Sequence, residues 1–250
     1  MISNEKLVSI AKLYNIKPWQ QEKHYIQFLT LVTLSEYSLV FKGGTYLWLF
    51  HNLDRFSEDV DLTANGSLPE DLDAKVSEGL RLFGVENTVK RISNSERDFS
   101  FRVNAKGPLN TSEKDMCYVY VEISKRENLV VNPIPLKLDF DAYEAPVKIV
   151  NGMDLNEVAA EKIRAIIKRK KARDAYDLSY LIKNKGIHFD IELVNKKLKY
   201  YNEVFSEQEF TESLRKKGEY WNKELKQLIF GKPIEFSTAE ETILKWIKTK

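Results

Sequence analysis

The sequence predicts an α+β protein in which a mixed sheet with flanking helices, over residues 1–150, precedes a helical bundle over residues 151–250. Three observations carry this. Apolar residues recur at helical spacing up to residue 36, short runs between 38 and 140 alternate or stay apolar as sheet strands do, and from Asp154 onward the pattern is helical almost to the end. With 250 residues, 43% of them hydrophobic, the chain can bury a sizeable core in one large domain or two small ones. Its net charge of +2 produces no global field, so any basic surface must be local.

Leu7, Ile10, Ala11 and Tyr14 recur at helical spacing, as do Tyr25, Phe28, Leu29 and Val32. Ser38 to Phe41 reads as a short strand feeding the Gly43-Gly44 turn, after which Thr45 is placed to cap a helix reaching Phe50. Phe56 to Leu62 has strand character and Pro69 to Leu82 helical character. Val85 to Ile92, Phe99 to Val103, Tyr118 to Ile123 and Leu136 to Phe140 read as further strands. Gly186 and Gly231-Lys232-Pro233 are the main breaks in the helical part.

The single cysteine, Cys117, excludes an internal disulfide framework and a cysteine-rich zinc site, and its apolar setting makes it a packing residue. No run approaches the ~20 apolar residues of a membrane span, and the N-terminus has no apolar signal core, so a cytoplasmic protein is expected. His24, His51 and His188 show no metal-ligand or triad spacing, and no Walker-type lysine loop, dinucleotide fingerprint or serine elbow is present.

The most informative stretch is Phe41-Lys42-Gly43-Gly44-Thr45 followed by Arg55-Phe56-Ser57-Glu58-Asp59-Val60-Asp61. Side chains alternate along a strand, so Asp59 and Asp61 project together, ~7 Å apart, and can share divalent cations. A two-metal site needs ions ~3.5–4 Å apart, and magnesium suits two carboxylates supplemented by substrate phosphates. The glycine pair lets backbone approach a phosphate, with the next helix directing free N–H groups at it. A tight turn leading to a strand with one polar face would use the same residues.

In the helix opening near Asp154, Leu155, Val158, Ala159, Ile163 and Ile166 share one side, and Lys162 falls inside that apolar sector. An inward lysine must reach water, pair with an anion or lose its proton. Asp174 and Asp177, three apart, share a helical face close behind it. The run from Lys162 to Arg173 is the densest positive charge in the chain; it could meet an RNA backbone or be neutralised by those acids.

The strand, glycine pair, short helix and Asp-x-Asp strand resemble the DNA polymerase β-like nucleotidyltransferase superfamily, with a longer spacer that reads as loop around Asn52 to Arg55. The closer resemblance is to the AbiEii/AbiGii family of nucleotidyltransferase toxins. The segments Asp154-Leu-Asn-Glu-Val-Ala-Ala-Glu-Lys162 and Arg173-Asp174-Ala-Tyr-Asp177 resemble that family's later motifs. The likeness implies a polymerase β-like domain followed by a helical domain that completes the site.

It implies that Lys42, Gly43, Gly44, Thr45, Ser57, Lys162, Arg173 and Asp177 bind the nucleotide, and that Asp59, Asp61, Glu122, Lys162 and Asp174 serve catalysis. Glu122, within Val121-Glu-Ile-Ser-Lys-Arg-Glu127, resembles the family's third acid and would join Asp59 and Asp61 as a metal ligand; Asp139 competes for that role. The implied reaction moves a nucleoside monophosphate from a triphosphate such as ATP, GTP or CTP, with two magnesium ions, plausibly onto the 3′ end of transfer RNA. The implied setting is a toxin–antitoxin or phage-defence pair, with a separately encoded antitoxin, often a winged-helix repressor. Two other classes use the same carboxylates: a non-catalytic nucleotide-binding module of this fold, and a metal-dependent phosphoesterase with water as nucleophile.

Overall fold

Alternation of side chains builds most of the first unit. In the computed structural model, which describes residues 1–126 and 128–249, this unit comprises Met1–Phe50, Phe56–Asn128 and Pro133–Gly152, and the second comprises His51–Arg55, Leu129–Asn132 and Met153–Lys250. Glu127 lies outside the described residues. The strands are β1 (Leu39–Lys42), β2 (Asp59–Ala64), β3 (Asn87–Asn94), β4 (Asp98–Ala105), β5 (Cys117–Ser124), β6 (Ile134–Leu138) and β7 (Lys148–Gly152), in a mixed sheet ordered β3-β4-β5-β2-β1-β7-β6.

Phe99, Phe101 and Val103 on β4, Val119, Val121 and Ile123 on β5, and Val60 and Leu62 on β2 are buried, while the residues between them are polar or aromatic and at least partly accessible. One sheet face is thus core, as alternation demands. Helices α2 (Pro18–Leu34) and α4 (Leu72–Leu82) pack in the same unit, α2 with Tyr25, Phe28, Leu29 and Val32 buried. α1 (Asn4–Leu13) is capped by the Ser3 hydroxyl accepting from the Lys6 amide. Cys117 is a buried packing residue whose thiol is pushed up to about 12, by burial first.

Helix α3 (Gly43–His51) begins two residues before the expected start. Thr45 therefore does not cap it; its hydroxyl donates to the Asp59 carbonyl at 2.5 Å, so a helix residue pins the neighbouring strand. β2 starts only at Asp59, because Phe56 is buried as a packing ring, with edge contacts to Trp19 and Trp48. β7 escaped the sequence reading because only Val150 and Gly152 of its five residues are buried, leaving almost no apolar pattern.

A polar pin secures α2 inside this core. Tyr143 accepts from the Gln21 amide, and its hydroxyl lies 2.5 Å from His24 Nδ1, with His24 ringed by Trp48 and Phe140. Burial lowers His24 to about 3, so it is neutral when folded, whereas the unfolded chain protonates it near its ordinary value of 6.5. Its contribution is complete above pH 6.5 and lost as pH falls towards 3, by about 1.4 kcal/mol per pH unit in that window. Burial likewise lowers His51 to about 4, so chemical denaturation from pH 7 to pH 4 should show at least that slope, and His24→Gln should remove about 1.4 kcal/mol per pH unit of it.

The second unit holds α5 (Leu155–Lys168), α6 (Ala172–Lys185), α7 (Ile191–Lys199), α8 (Glu207–Arg215), α9 (Trp221–Leu225) and α10 (Phe236–Trp246). Asp154 caps α5 by accepting from the amides of Asn156 at 2.8 Å and Glu157 at 3.4 Å, a contribution of about 1 kcal/mol. Gly186 ends α6 in the left-handed conformation, as the sequence anticipates. Trp221 and Trp246 are buried packing residues whose indoles donate to the carbonyls of Ile234 and Ile187. No described helix is long and apolar enough to cross a membrane.

Candidate active site

Lys42 ends β1 and Gly43 turns the chain into α3 with φ +77°, a region an L side chain rarely adopts. β2 runs antiparallel beside it, with Lys42 opposite Asp61 and Phe41 opposite Leu62. This register sets Asp61 directly over the turn. A Cβ added to Gly43 would lie 2.1 Å from Asp61 Oδ2, so the carboxylate occupies the space that any other residue would need.

Asp59 and Asp61 are both half-buried on the polar sheet face, with Val60 and Leu62 turned into the core. Lys42 is nearly buried on that same face. Gly44 and Thr45 are buried in the first turn of α3, whose leading N–H groups have no intrahelical partner to donate to. Ser57 is half-buried, and its carbonyl accepts from the Gln27 amide at 3.1 Å. Gly43→Ala should combine backbone strain with displacement of Asp61. Purified variant should fold, melt several degrees lower and lose at least about 10²-fold in turnover.

The parallel neighbour β5 puts Glu122 in register with Asp61 and Tyr120 with Asp59. Asp139 follows β6, which is three strands from β2, or ~14 Å at ~4.8 Å per strand. Glu122 is therefore the acid that topology brings beside the pair. Its side chain is 56% exposed and accepts from the Arg126 guanidinium at 3.4 Å. Among the described residues no group of three or more Asp, Glu, His or Cys side chains is drawn together to hold a metal.

The second unit carries its own charged cluster. Lys162 on α5 is 7% exposed, and its ammonium lies 2.6 Å from Asp177 Oδ2 and 3.0 Å from Asp174 Oδ1. Arg55 grips Asp177 with two bonds, Nε at 2.6 Å and a terminal nitrogen at 2.7 Å. Arg169 does the same to Asp174, at 2.9 Å and 3.2 Å. Three cations and two anions thus alternate, with both carboxylates on one face of α6 and nearly or fully buried.

Burial opposes charge on every member, and pairing overrides it. Burial alone would raise Asp174, but Lys162 and Arg169 hold it down to about 2. Burial would strip the proton from Lys162, but Asp177 and Asp174 raise it above its ordinary value. Asp177 is likewise held down by Arg55 and Lys162 against burial. The cluster is a fixed, fully ionised array near neutral pH.

The basic run that follows Lys162 is largely absorbed inside this unit. Lys168 pairs with Glu203, Arg173 Nε lies 3.8 Å from Glu224, and Lys217 donates to the Arg169 carbonyl at 2.6 Å. Lys170 and Lys171 remain on the surface. Among the aromatics of this unit that could stack bases, Trp221 is core and Tyr201 carries Arg164 over its ring.

A family model described as nucleotidyl transferase AbiEii toxin, type IV toxin–antitoxin system, matches residues 31–243. The chain belongs to the AbiEii family. It is accordingly a nucleotidyltransferase of the type IV toxin class, which implies a nucleoside triphosphate substrate and a cognate antitoxin. Among solved structures it resembles MenT4, a nucleotidyltransferase toxin from Mycobacterium tuberculosis, with 22% identity and a TM-score of 0.66, covering 92% of this chain and 83% of that one. It also resembles JHP933 from Helicobacter pylori, with 17% identity and a TM-score of 0.62 over 89% and 88% of the two chains. At these identities the likeness is one of fold. No curated protein sequence matches the chain.

The AbiEii-family site fits a hard divalent cation by its donors. Two carboxylates share a face beside a turn stripped of side chain, leaving most of a magnesium shell to phosphate oxygens and water. One residue in this AbiEii chain escaped the sequence reading: Arg55, 2% exposed and gripping Asp177. It stands at the head of Arg55-Phe-Ser-Glu-Asp59, and a basic residue opening a motif otherwise occupied by acids was the available signal.

Proposed function

We propose that the chain transfers a nucleoside monophosphate from a nucleoside triphosphate to the 3′ end of an RNA, transfer RNA being the acceptor that family likeness favours. The observation that carries this is Asp61 seated against the Cβ-free face of Gly43, where a bound phosphate would sit between carboxylates and helix N-terminus. The acceptor hydroxyl oxygen would form a bond to the α-phosphorus, the bond to pyrophosphate would break, and the hydroxyl proton would leave to a base. Asp59 and Asp61, joined by Glu122, would hold two magnesium ions, which would neutralise the triphosphate and lower the acidity threshold of the attacking hydroxyl.

The protein's own groups supply the rest. The amides of Gly43 and Gly44, with Lys42 and Ser57, would receive the phosphates, and Lys162 would offer a permanently charged ammonium to the developing negative charge. Asp174, held near 2 by two cations, is too weak a base to take a proton at neutral pH. It acts as a positioning residue for Lys162, and Asp177, fully buried with both oxygens engaged, acts the same way. Arg173, half-exposed and only loosely paired with Glu224 at 3.8 Å, would turn to the nucleotide or acceptor.

Incubation with magnesium, each α-labelled triphosphate in turn and bulk RNA should label RNA, with loss of label on chelation. If no nucleotide labels RNA, or if pyrophosphate is released with no acceptor adduct, the transferase reading gives way to the binding-module or phosphoesterase alternatives. In cells, the cognate antitoxin, a winged-helix repressor on family likeness, should relieve growth arrest caused by the active enzyme.

A further inference from the structure

We propose that the solvent face of β4 and β5 is the acceptor platform, on which a single-stranded RNA end lies with bases stacked on Tyr120 and Tyr118 and phosphates held by Arg102 and Lys90. This rests on the transferase reading and assigns the acceptor's place within it. The other face of these strands is fully core, yet Tyr118 is 39% and Tyr120 42% exposed on the same face as Asp59 and Asp61. An uncovered pair of large rings on a sheet is a surface built for contact.

The rings are not isolated. Arg102 is in register with Tyr120 across β4 and β5, and its guanidinium carbon lies 5.0 Å from the Tyr118 ring centre and 5.8 Å from that of Tyr120. Its Nε donates to Asn104 at 2.7 Å, which fixes the plane between the two rings. Lys90, exposed on β3, pairs in register with Arg102. Aromatic faces interleaved with cations match alternating bases and phosphates, and stacking accepts any base.

Direction follows from register. Tyr120 faces Asp59 across one strand spacing, ~4.8 Å, so it would take the base at the reacting end; Tyr118, ~7 Å further along the strand, would take the next. Beyond Tyr118 an open cavity of about 520 Å³ has Trp19 in its wall, beside Lys23, which pairs with Glu58, and the acids Glu22 and Asp115, so a ring but no net positive charge continues the track. A duplex end cannot lay unpaired bases on this row, so the surface selects a single strand.

Fluorescence anisotropy of an end-labelled single-stranded oligoribonucleotide should show binding to the wild-type chain that weakens at least about tenfold in Tyr118→Ala/Tyr120→Ala. Tyr118→Phe/Tyr120→Phe should bind like wild type, since stacking survives, and Arg102→Gln should weaken binding and reduce its salt dependence. Tyr200→Ala, an exposed ring in the helical unit, should change nothing, and affinity for magnesium-bound triphosphate should be equal throughout. In RNA labelling, the alanine pair should raise KM for the acceptor with little change in kcat. Unaltered RNA binding in the alanine pair, a wild-type chain that prefers duplex to single strand, or label entering protein instead of RNA would overturn the platform. Absence of labelling with normal, tyrosine-dependent RNA binding would instead count against the transferase reading alone.

Discussion

Asp59→Ala and Asp61→Ala should each lower RNA labelling by about 10³-fold or more, while the melting temperature moves little. Neither carboxylate is part of the core: both are half-buried on the polar face, and the flanking Val60 and Leu62 carry the packing. Removing one relieves like-charge repulsion along the strand and leaves the register with β1 and β5 untouched. The expected signature is therefore a dead enzyme with a normal melt. Without metal, triphosphate should bind no worse to either variant than to wild type, because each has lost a carboxylate that repels the phosphates. Wild-type turnover in Asp59→Ala would refute the assignment outright.

Asp177→Ala should be the most destabilising single change, by about 3–5 kcal/mol, or roughly 6–20 °C in melting temperature. It takes from Arg55, 2% exposed, the two-bond grip on that carboxylate, and removes the shorter contact to Lys162. Lys162→Met makes the contrast. Asp177 and Asp174 keep Arg55 and Arg169, and an apolar side chain of similar length fills the slot, so stability should fall by less than about 1.5 kcal/mol. Transfer should nevertheless collapse. Differential scanning calorimetry beside RNA labelling separates the two outcomes, and a stable, active Asp177→Ala would remove the positioning role assigned here.

Acid pH should attack this array only late. Asp174 is depressed when folded, so its stabilisation is complete above its unfolded value of 3.8 and fades as pH falls from there towards 2. Loss of stability between pH 6.5 and 4 belongs to His24 and His51 instead, burial lowering each.

Much of the architecture was legible because periodicity reports burial. The strands β4 and β5 alternate without fault, and α5 confines its apolar residues to one side, which exposed Lys162 as an inward cation before any coordinates. The Gly43-Gly44 turn and the Asp-x-Asp strand were visible as a device, although only the register of β1 with β2 shows how closely Asp61 sits on Gly43. Sequence pattern alone left Glu122 and Asp139 both on plausible strands, with family resemblance favouring Glu122; strand order sets Glu122 beside β2 and Asp139 three strands away, and order is a long-range property. Arg55 was hidden because its partner is 122 residues away. Tyr118 and Tyr120 read as ordinary alternating strand residues, because nothing local reveals that both rings stay exposed.

Residues 51–55 belong with the helical unit although they lie between β1 and β2 in the chain. Anyone dissecting the molecule at residue 150 would deprive the carboxy-terminal fragment of its Arg55 and leave Asp177 with a lysine alone. A chimera that borrows helices from a relative faces the same requirement. The loop between α3 and β2 has to travel with the transplanted helices, because five residues of it bring the guanidinium that their buried carboxylate requires.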